Sequence, residues 1–252
     1  MIDVAVESEA KEQVEDAGSR PKAVIIIPAR MSSRRLPGKP LRMVGGKALV
    51  HWTYLQAKKT KCSRVMVATP DRVIANYCQD NSIPWRPTRD DHPNGTSRCL
   101  EVIQQMREKS GIELVVNWQA DEPLAEPMDV NLLLRRCSSG LATLVYSVCH
   151  RMNDTNQTKV VYSYQRCHWF TRSPLAQAGA HIGIYAYTPA MLSALCDLEV
   201  TKRARAEGLE QLTWIERGFQ ITPVEASFDV RGINSEEDCE EFKRIKEGES
   251  AT

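Results

Sequence analysis

A cluster of cations follows the first strongly apolar segment of the chain. Residues 23–28 have the sequence AVIIIP, and the loop after them, 29–47, contains six basic side chains and no acidic one. Arginine and lysine bind phosphate oxygens well, and Gly38 allows the backbone to approach a ligand closely. The loop therefore indicates a polyphosphate site, with an ordinary solvated basic loop as the alternative. Its cations are Arg30, Arg34, Arg35, Lys39, Arg42 and Lys47.

Two common phosphate-binding motifs are absent from the sequence. GxGxxG does not occur, and GxxxxGK[ST] fails because Pro40 follows Lys39 and no hydroxyl is placed for a metal. A dinucleotide-dependent enzyme and a P-loop NTPase are therefore disfavoured.

Acidic side chains end a second apolar segment, VVNWQADEP, at 115–123. Asp121 and Glu122 would be poor core residues unless they bind something, although a strand-end aspartate that caps a turn is the alternative. Beside a phosphate-binding loop the natural partner is Mg²⁺, which bridges carboxylate and phosphate oxygens. The two segments together predict nucleotidyl transfer, in which an acceptor attacks the α-phosphorus of a nucleoside triphosphate and pyrophosphate leaves.

The first half of the chain repeats a strand-loop-helix pattern four times. Such repetition predicts an open, mostly parallel α/β sheet with helices on both faces. Ligands of these sheets lie at the carboxyl ends of the strands, so the basic loop and the acidic segment should meet there. The predicted strands are 23–28, 64–69, 82–87 and 112–123, and the predicted helices are 48–59, 71–80, 94–111 and 128–137.

The second half is less regular and indicates a small strand-rich subdomain, roughly 142–217, inserted into a single domain that spans 22–252. Residues 1–21 carry six acids against two bases and are predicted to form an acidic flexible tail. Strands are predicted at 142–148, 159–164, 167–172, 181–187 and 219–226, and helices at 189–196, 203–217 and 236–247.

The composition excludes several classes of protein. The net charge of +1 offers no general attraction to nucleic acid or membrane surfaces, and no apolar run approaches the length of a membrane span. The eight cysteines are all at least twelve residues apart, so there is no CxxC motif. The N-terminal sequence lacks the features of a signal peptide, and the cysteines are therefore expected to be buried thiols in a reducing cytoplasm.

Five motifs resemble the CMP-Kdo synthetases, the 3-deoxy-manno-octulosonate cytidylyltransferases. The resemblance extends over 22–246 and implies a Rossmann-like nucleotidyltransferase fold, a homodimer, Mg²⁺ as cofactor, and CTP and a small acidic acceptor as substrates. The motifs are IIIPARMSSRRLPGKPL (25–41), DHPNGTSRCLEV (91–102), VVNWQADEP (115–123), HIGIYAY (181–187) and EGLEQL (207–212).

The resemblance also implies roles for individual residues on the nucleotide side. The catalytic set, which holds the CTP phosphates and the metal, is Arg30, Arg35, Lys39 and Asp121. The cytidine pocket is formed by Ala29 and the turn Asn94, Gly95 and Thr96, with Arg98 beside it and Gln119 between nucleotide and acceptor.

On the acceptor side, Arg172 is expected to meet a carboxylate. The polar groups of the acceptor are expected to contact His181, Tyr185, Glu210 and Gln211, together with Gln119. From the residue pattern alone, His181 and Tyr185 would equally be core residues on one face of a strand. Glu210 and Gln211 would by default lie on a solvated helix face.

The chain departs from the family pattern mainly on the acceptor side. Asn234 stands where the family has a second metal-binding aspartate, and Asp229 is a candidate to compensate. The segment 173–180 is short. Cations at Lys202, Arg203 and Arg205 stand where the family more often has a proline-leucine-glutamate run. Family membership makes a sugar acid the first expectation for the acceptor, and the departures make a phosphonate such as phosphonoformate the alternative. A nucleotide-binding homologue without turnover is a third possibility.

Overall fold

The computed structural model describes residues 22–32, 36–106, 111–147 and 149–249 of the chain. The predicted acidic tail at 1–21 lies outside the described residues.

The first half forms the predicted succession of strands and helices. Its elements are β1 (Ala23–Pro28), a 3₁₀ turn (Lys39–Leu41), β2 (Met43–Val44), β3 (Lys47–Ala48), α1 (Leu49–Ala57), β4 (Arg64–Thr69), α2 (Arg72–Asp80), β5 (Trp85–Pro87), α3 (Gly95–Gln105), β6 (Leu114–Trp118) and α4 (Pro127–Arg136). The sequence did not predict the small antiparallel hairpin of β2 and β3.

The second half adds five strands and four helices among the described residues. They are β7 (Leu141–Tyr146), β8 (Lys159–Ser163), β9 (Arg166–Thr171), β10 (Gly179–Tyr187), α5 (Pro189–Cys196), α6 (Lys202–Glu207), α7 (Glu210–Glu216), β11 (Thr222–Glu225) and α8 (Glu236–Glu249). None of the helices in the described ranges is both long enough and apolar enough to cross a membrane.

One large sheet organises the fold, with the strand order β11-β7-β10-β6-β1-β4-β5. All neighbours along this path pair in parallel except β10, which runs antiparallel to both β6 and β7. The hairpin of β8 and β9 lies off the path and joins through β10. The predicted α/β class with a mostly parallel sheet is therefore confirmed, and much of the region 142–217 completes the central sheet.

Helices cover both faces of this sheet, which explains its uninterrupted apolar strands. On β1, Ile25 and Ile27 belong to one buried cluster, while Val24 and Ile26 belong to the other. Alternate side chains of a strand point to opposite faces, so a strand between two helical layers must be apolar at every position.

The single helix predicted at 203–217 is wrong, because the chain forms two helices there. Gly208 adopts a left-handed conformation with φ 65° and ends α6, a role that glycine fills without steric cost. The helix α7 starts anew at Glu210, and this break brings Glu210 and Gln211 into the first turn of a separate helix.

Candidate active site

Three adjoining cavities open at the carboxyl edge of the sheet. We call them the outer cavity, of about 600 Å³ and lined by Lys39, the inner cavity, of about 360 Å³ and lined by Tyr185, and the small cavity, of about 130 Å³ at Asn94. Arg30 and Gln119 line all three, so the cavities form one connected site.

Backbone N–H groups of the loop after β1 form hydrogen bonds with β4 and with the segment that follows β4. The Ala29 N–H donates to the Ala68 carbonyl at 2.9 Å, and the Met31 N–H donates to the Asp71 carboxylate at 2.8 Å. Gly38 has a left-handed φ of 69° and donates its N–H to the Met31 carbonyl. The loop therefore turns back on itself and starts the 3₁₀ turn at the edge of the outer cavity.

Two cations of the predicted phosphate set can be placed at this loop. Arg30 is exposed at the mouth of all three cavities, and Lys39 lines the outer one. Arg35, which the resemblance assigned to the same set, lies outside the described residues.

Lys39 lies between the two predicted metal ligands. Its ammonium contacts Asp121 Oδ2 at 2.5 Å and Asn234 Oδ1 at 3.2 Å. Asn234 reaches this position because the Ile233 N–H donates to the Asp121 carbonyl at 2.7 Å, while Asp238 accepts the Asn234 N–H at 2.8 Å. Three elements distant in sequence thus converge on one cation.

This arrangement fits a divalent cation. A carboxylate oxygen and an amide oxygen point at one position, and the Lys39 ammonium demonstrates that a cation fits between them. No group of three or more His, Cys, Asp or Glu side chains is arranged to hold a metal within the described ranges. The position therefore suits Mg²⁺, which commonly takes one or two protein oxygens and completes its shell with phosphate and water. Asp229, the predicted substitute ligand, instead lines a separate cleft beside His150.

The small cavity is built on the start of α3. Asn94 caps the helix by accepting the Ser97 N–H at 2.8 Å. A Cβ on Gly95 would lie 2.9 Å from Pro28 Cγ and 3.1 Å from Gln119 Nε2, so only glycine fits between α3 and the sheet.

Two predicted nucleotide residues are held by neighbouring protein groups. Thr96 lies behind the cavity, where its hydroxyl pairs with the Tyr187 hydroxyl at 3.2 Å. Arg98 lines the small cavity but is buried, and its guanidinium donates to Thr88 Oγ1 and to the Arg89 carbonyl. Arg98 therefore fastens the segment before α3.

The inner cavity depends on an irregularity in β10. Ile182 pairs with Leu144 and Tyr185 with Thr143, so β10 holds two extra residues between these pairs. An even number of extra residues keeps His181 and Tyr185 on one face, and their ring centroids are 5.3 Å apart.

Both residues are buried and engaged. His181 Nε2 lies 3.0 Å from Thr143 Oγ1, and the Tyr185 hydroxyl accepts a hydrogen bond from Gln211 Nε2. Burial lowers the pKa of His181 to about 3, with a smaller contribution from Arg172. His181 is therefore a neutral hydrogen-bonding group.

Two carboxyl groups face the inner cavity. Burial raises the pKa of Glu122 to about 8, with the neighbouring Asp121 charge as a second cause, and burial raises the pKa of Glu210 to about 7. Glu122 Oε1 accepts the Gly183 N–H at 3.1 Å. Its Oε2, Glu210 Oε2 and Gln211 Oε1 are buried without a hydrogen-bond partner among the described residues.

Arg172 lies at the end of β9, where the outer and inner cavities meet. Its Nη1 donates to the carbonyls of Thr155 and Asn156 at 3.3 and 3.1 Å. The segment 154–158 thereby becomes a wall of the inner cavity through Asn156 and two residues after it.

The structure thus brings the predicted acceptor set, Gln119, Arg172, His181, Tyr185, Glu210 and Gln211, together around the inner cavity. The roles implied by the resemblance left out Glu122, although the acidic segment had included it, and they left out the segment 154–158. The sequence indicated Glu122, because it directly follows Asp121 at the end of a buried strand. Nothing in the sequence of 154–158 indicated that this segment lies at the site.

Comparisons with known proteins agree with this geometry. The sequence profile of the cytidylyltransferase family matches residues 24–221. The 3-deoxy-manno-octulosonate cytidylyltransferase of Pseudomonas fluorescens is 32% identical over 249 residues, covering 88% of this chain and 97% of that protein. The enzyme of the same name from Fusobacterium nucleatum is 33% identical over 88% of this chain and 96% of its own length.

Among solved structures, a CMP:2-keto-3-deoxy-manno-octonic acid synthetase complexed with CTP is similar to this chain. The TM-score is 0.81 at 32% sequence identity, over 90% of this chain and 99% of that one.

Proposed function

This chain belongs to the cytidylyltransferase family and is a nucleotidyltransferase, and we propose that it transfers CMP from CTP to a sugar acid of the 3-deoxy-manno-octulosonate type, releasing pyrophosphate. On the family resemblance we add that it works as a homodimer in the cytoplasm, with Mg²⁺ as cofactor.

The observation that carries the choice of acceptor is the set of unpaired oxygens facing the inner cavity. Glu122, Glu210 and Gln211 each present a buried oxygen for which the described residues supply no donor. A buried acceptor without a donor costs free energy, and hydroxyl groups are donors. The hydroxyls of a sugar acid donate to Gln211 Oε1, and they donate to or accept from the two glutamates, whose raised pKa values keep them partly protonated. An ionised phosphonate has no donor for Gln211 Oε1.

Arg172 is the cation placed for the carboxylate of this acceptor. It lines the inner cavity together with Arg30. A guanidinium has five donor hydrogens in a fixed plane, so its geometry suits a carboxylate that approaches from the cavity.

The nucleotide occupies the outer and small cavities in this proposal. Lys39 and Arg30 face the phosphates, and the turn at Asn94 and Gly95 borders the nucleoside. An acceptor hydroxyl attacks the α-phosphorus in line and loses its proton to solvent, while the bond to pyrophosphate breaks. The cations stabilise the negative charge that develops on the phosphate oxygens.

Asp121 and Asn234 would hold the Mg²⁺. When bound, the ion would supply positive charge that stabilises the phosphate oxygens during transfer. Lys39 must then leave the position between these two side chains, and the triphosphate offers it a new partner.

A phosphonate remains the second candidate for one structural reason. Two arginines, Arg30 and Arg172, line the same inner cavity, and only a short segment joins β9 to β10. Such a cavity would also suit a compact acceptor with several negative charges.

The deciding experiment measures pyrophosphate release from CTP and Mg²⁺ with three additions in parallel: 3-deoxy-manno-octulosonate, phosphonoformate and no acceptor. We expect release with the sugar acid alone, and identification of the CMP conjugate by mass spectrometry. Release only with phosphonoformate would contradict the sugar acid as acceptor. Silence with both, alongside CTP binding by calorimetry, would favour a homologue without turnover.

A further inference from the structure

A buried lysine outside the predicted site supports the wall of the inner cavity. Lys159 is the first residue of β8, and its side chain is 0% exposed. Its ammonium contacts two backbone carbonyl oxygens, those of Asp154 at 2.5 Å and Arg172 at 3.0 Å. Across the described ranges no carboxylate forms an ion pair with it, and burial lowers the pKa of Lys159.

A buried position is unfavourable for a cation unless its contacts with the protein have a structural role. Removing a charge from water costs several kcal/mol, and two carbonyl dipoles compensate less than a carboxylate does. An apolar side chain would fill this interior position at lower cost. The carbonyl contacts are therefore the feature that requires a lysine.

The segment 154–158 is held by two cations in succession. Lys159 binds the carbonyl of Asp154, which also accepts the Gln157 N–H at 3.2 Å. Arg172 Nη1 binds the next two carbonyls, those of Thr155 and Asn156. Lys159 also binds the carbonyl of Arg172. One ammonium therefore joins the segment to the residue whose guanidinium holds two more of its carbonyls.

The held segment connects directly to the inner cavity. Asn156, Gln157 and Thr158 line it with Arg172. Gln157 Nε2 donates to the carbonyl of His181 at 3.1 Å, so the segment also borders the irregular part of β10. A displacement of 154–158 would alter the inner cavity, while the turn at Asn94 would keep its own contacts.

We propose that Lys159 is a positioning residue for the acceptor, which acts by fixing the segment 154–158 against Arg172. This inference rests on the proposed function for the identity of the acceptor. Thr155 and Asn156 also line the outer cavity, but Gln157 and Thr158 line only the inner one of the three, and no residue of the segment lines the small cavity. The acceptor should therefore respond more strongly than CTP to the loss of Lys159.

The test compares steady-state kinetics of the wild type, Lys159→Met and the control Lys243→Met, whose lysine is exposed on α8. For Lys159→Met we expect the KM for the sugar acid to rise at least tenfold, with the KM for CTP within twofold of wild type. Lys243→Met should leave both constants unchanged. Equal changes in both constants, or an unchanged acceptor KM in folded Lys159→Met, would overturn the inference.

A second variant covers the case in which Lys159→Met does not fold. Asp154→Ala removes the carboxylate that accepts the Asn156 N–H at 2.7 Å, and Asp154 lines neither the outer nor the inner cavity. We expect the acceptor KM to rise about threefold with the KM for CTP unchanged. An unchanged acceptor KM in this variant would overturn the inference in that case.

The outcome for the wild type separates this inference from the proposed function. If the wild type releases no pyrophosphate with either acceptor, the proposed function fails. Hydrogen exchange at 154–158 then decides the role of Lys159. Faster exchange in Lys159→Met, or in Asp154→Ala if the former does not fold, supports a held segment, and unchanged exchange refutes it.

Discussion

The two walls of the cleft differ in the charge and the burial of their side chains. The nucleotide wall, formed by the loop after β1 and the start of α3, presents cations at an open edge of the sheet. The acceptor wall, formed by β10, α7 and the segment 154–158, buries uncharged and weakly acidic groups. Arg30 is exposed, whereas Gln211 and His181 are at most 8% exposed.

This difference follows from what each wall must recognise. A triphosphate carries several charges, and the exposed Arg30 attracts it without the cost of a buried cation. Lys39 is half-buried and is balanced by Asp121. Hydroxyl groups carry no charge and are distinguished by hydrogen bonds, which are strongest where water is excluded. Substitutions on the nucleotide wall should therefore act on turnover and CTP, and those on the acceptor wall on the second substrate or on stability.

The largest expected effect comes from Asp121, which lies where the two walls meet. Asp121→Ala removes the charged ligand at the cation position, and we expect kcat to fall by about 1,000-fold, equivalent to about 4 kcal/mol. The measurement is pyrophosphate release at saturating CTP and acceptor. Asp80→Asn, an exposed aspartate at the end of α2, is the control and should retain full activity. Near-wild-type turnover of Asp121→Ala would remove this residue from the metal site.

Lys39 tests the nucleotide wall alone. Lys39→Ala should lower kcat/KM for CTP by about 100-fold through the loss of a cation at the phosphates, about 3 kcal/mol. The KM for the acceptor should change by less than threefold. Lys61→Ala, an exposed lysine beyond α1, is the matched control. An acceptor KM that rises as much as the KM for CTP would mean that the walls are not independent.

The nucleotide wall is the part that the sequence predicts well. Apolar runs at 23–28 and 115–118 end in cations and acids, and parallel strands bring their carboxyl ends to one edge of a sheet. Each functional group lies within a few residues of its strand, so local sequence order already places it. The structure brings Lys39 and Asp121 into contact as this reasoning requires.

The acceptor wall depends on contacts that are distant in sequence. The two extra residues of β10 are defined by its pairing with β7. Lys159 and Arg172, which follow later in the chain, hold the carbonyls of Asp154 to Asn156 at the site. The single helix predicted at 203–217 followed the helical periodicity that continues across Gly208. The prediction is wrong because Gly208 ends α6, and a glycine at that point is a usual signal for a helix end. The resemblance named the acceptor residues, but only the tertiary fold shows how they are buried.

Glu210 tests the electrostatics of the acceptor wall. Because burial raises its pKa to about 7 in the folded protein from the ordinary 4.5, the folded state keeps a proton that the unfolded chain loses between these values. The free energy of unfolding should therefore fall as pH rises from about 4.5 to 7. Relative to Glu210→Gln, we expect a loss of about 1 to 2 kcal/mol between pH 5 and 8.

The measurement for Glu210 is urea unfolding of both proteins at pH 5, 6, 7 and 8. Glu216→Gln is the control, since Glu216 ends the same helix and forms an ion pair with Arg203 at the surface. If the free energy of unfolding of the wild type and of Glu210→Gln changed in parallel with pH, this carboxyl would have an ordinary pKa in the folded protein. The acceptor wall would then not differ from the nucleotide wall in burial at this residue.

The smallest expected effect concerns Asn234, the one neutral ligand candidate at the junction of the walls. The Lys39 ammonium now balances the single charge of Asp121, and Asn234→Asp adds a second negative charge at the same position. We expect Mn²⁺ to bind the nucleotide-free protein about tenfold more tightly, about 1.4 kcal/mol. Paramagnetic resonance of free Mn²⁺ measures this without reference to activity, with Asn81→Asp at an exposed helix end as the control. If the affinity does not change, Asn234 serves only to hold Lys39, and the cation position belongs to Asp121 and the nucleotide.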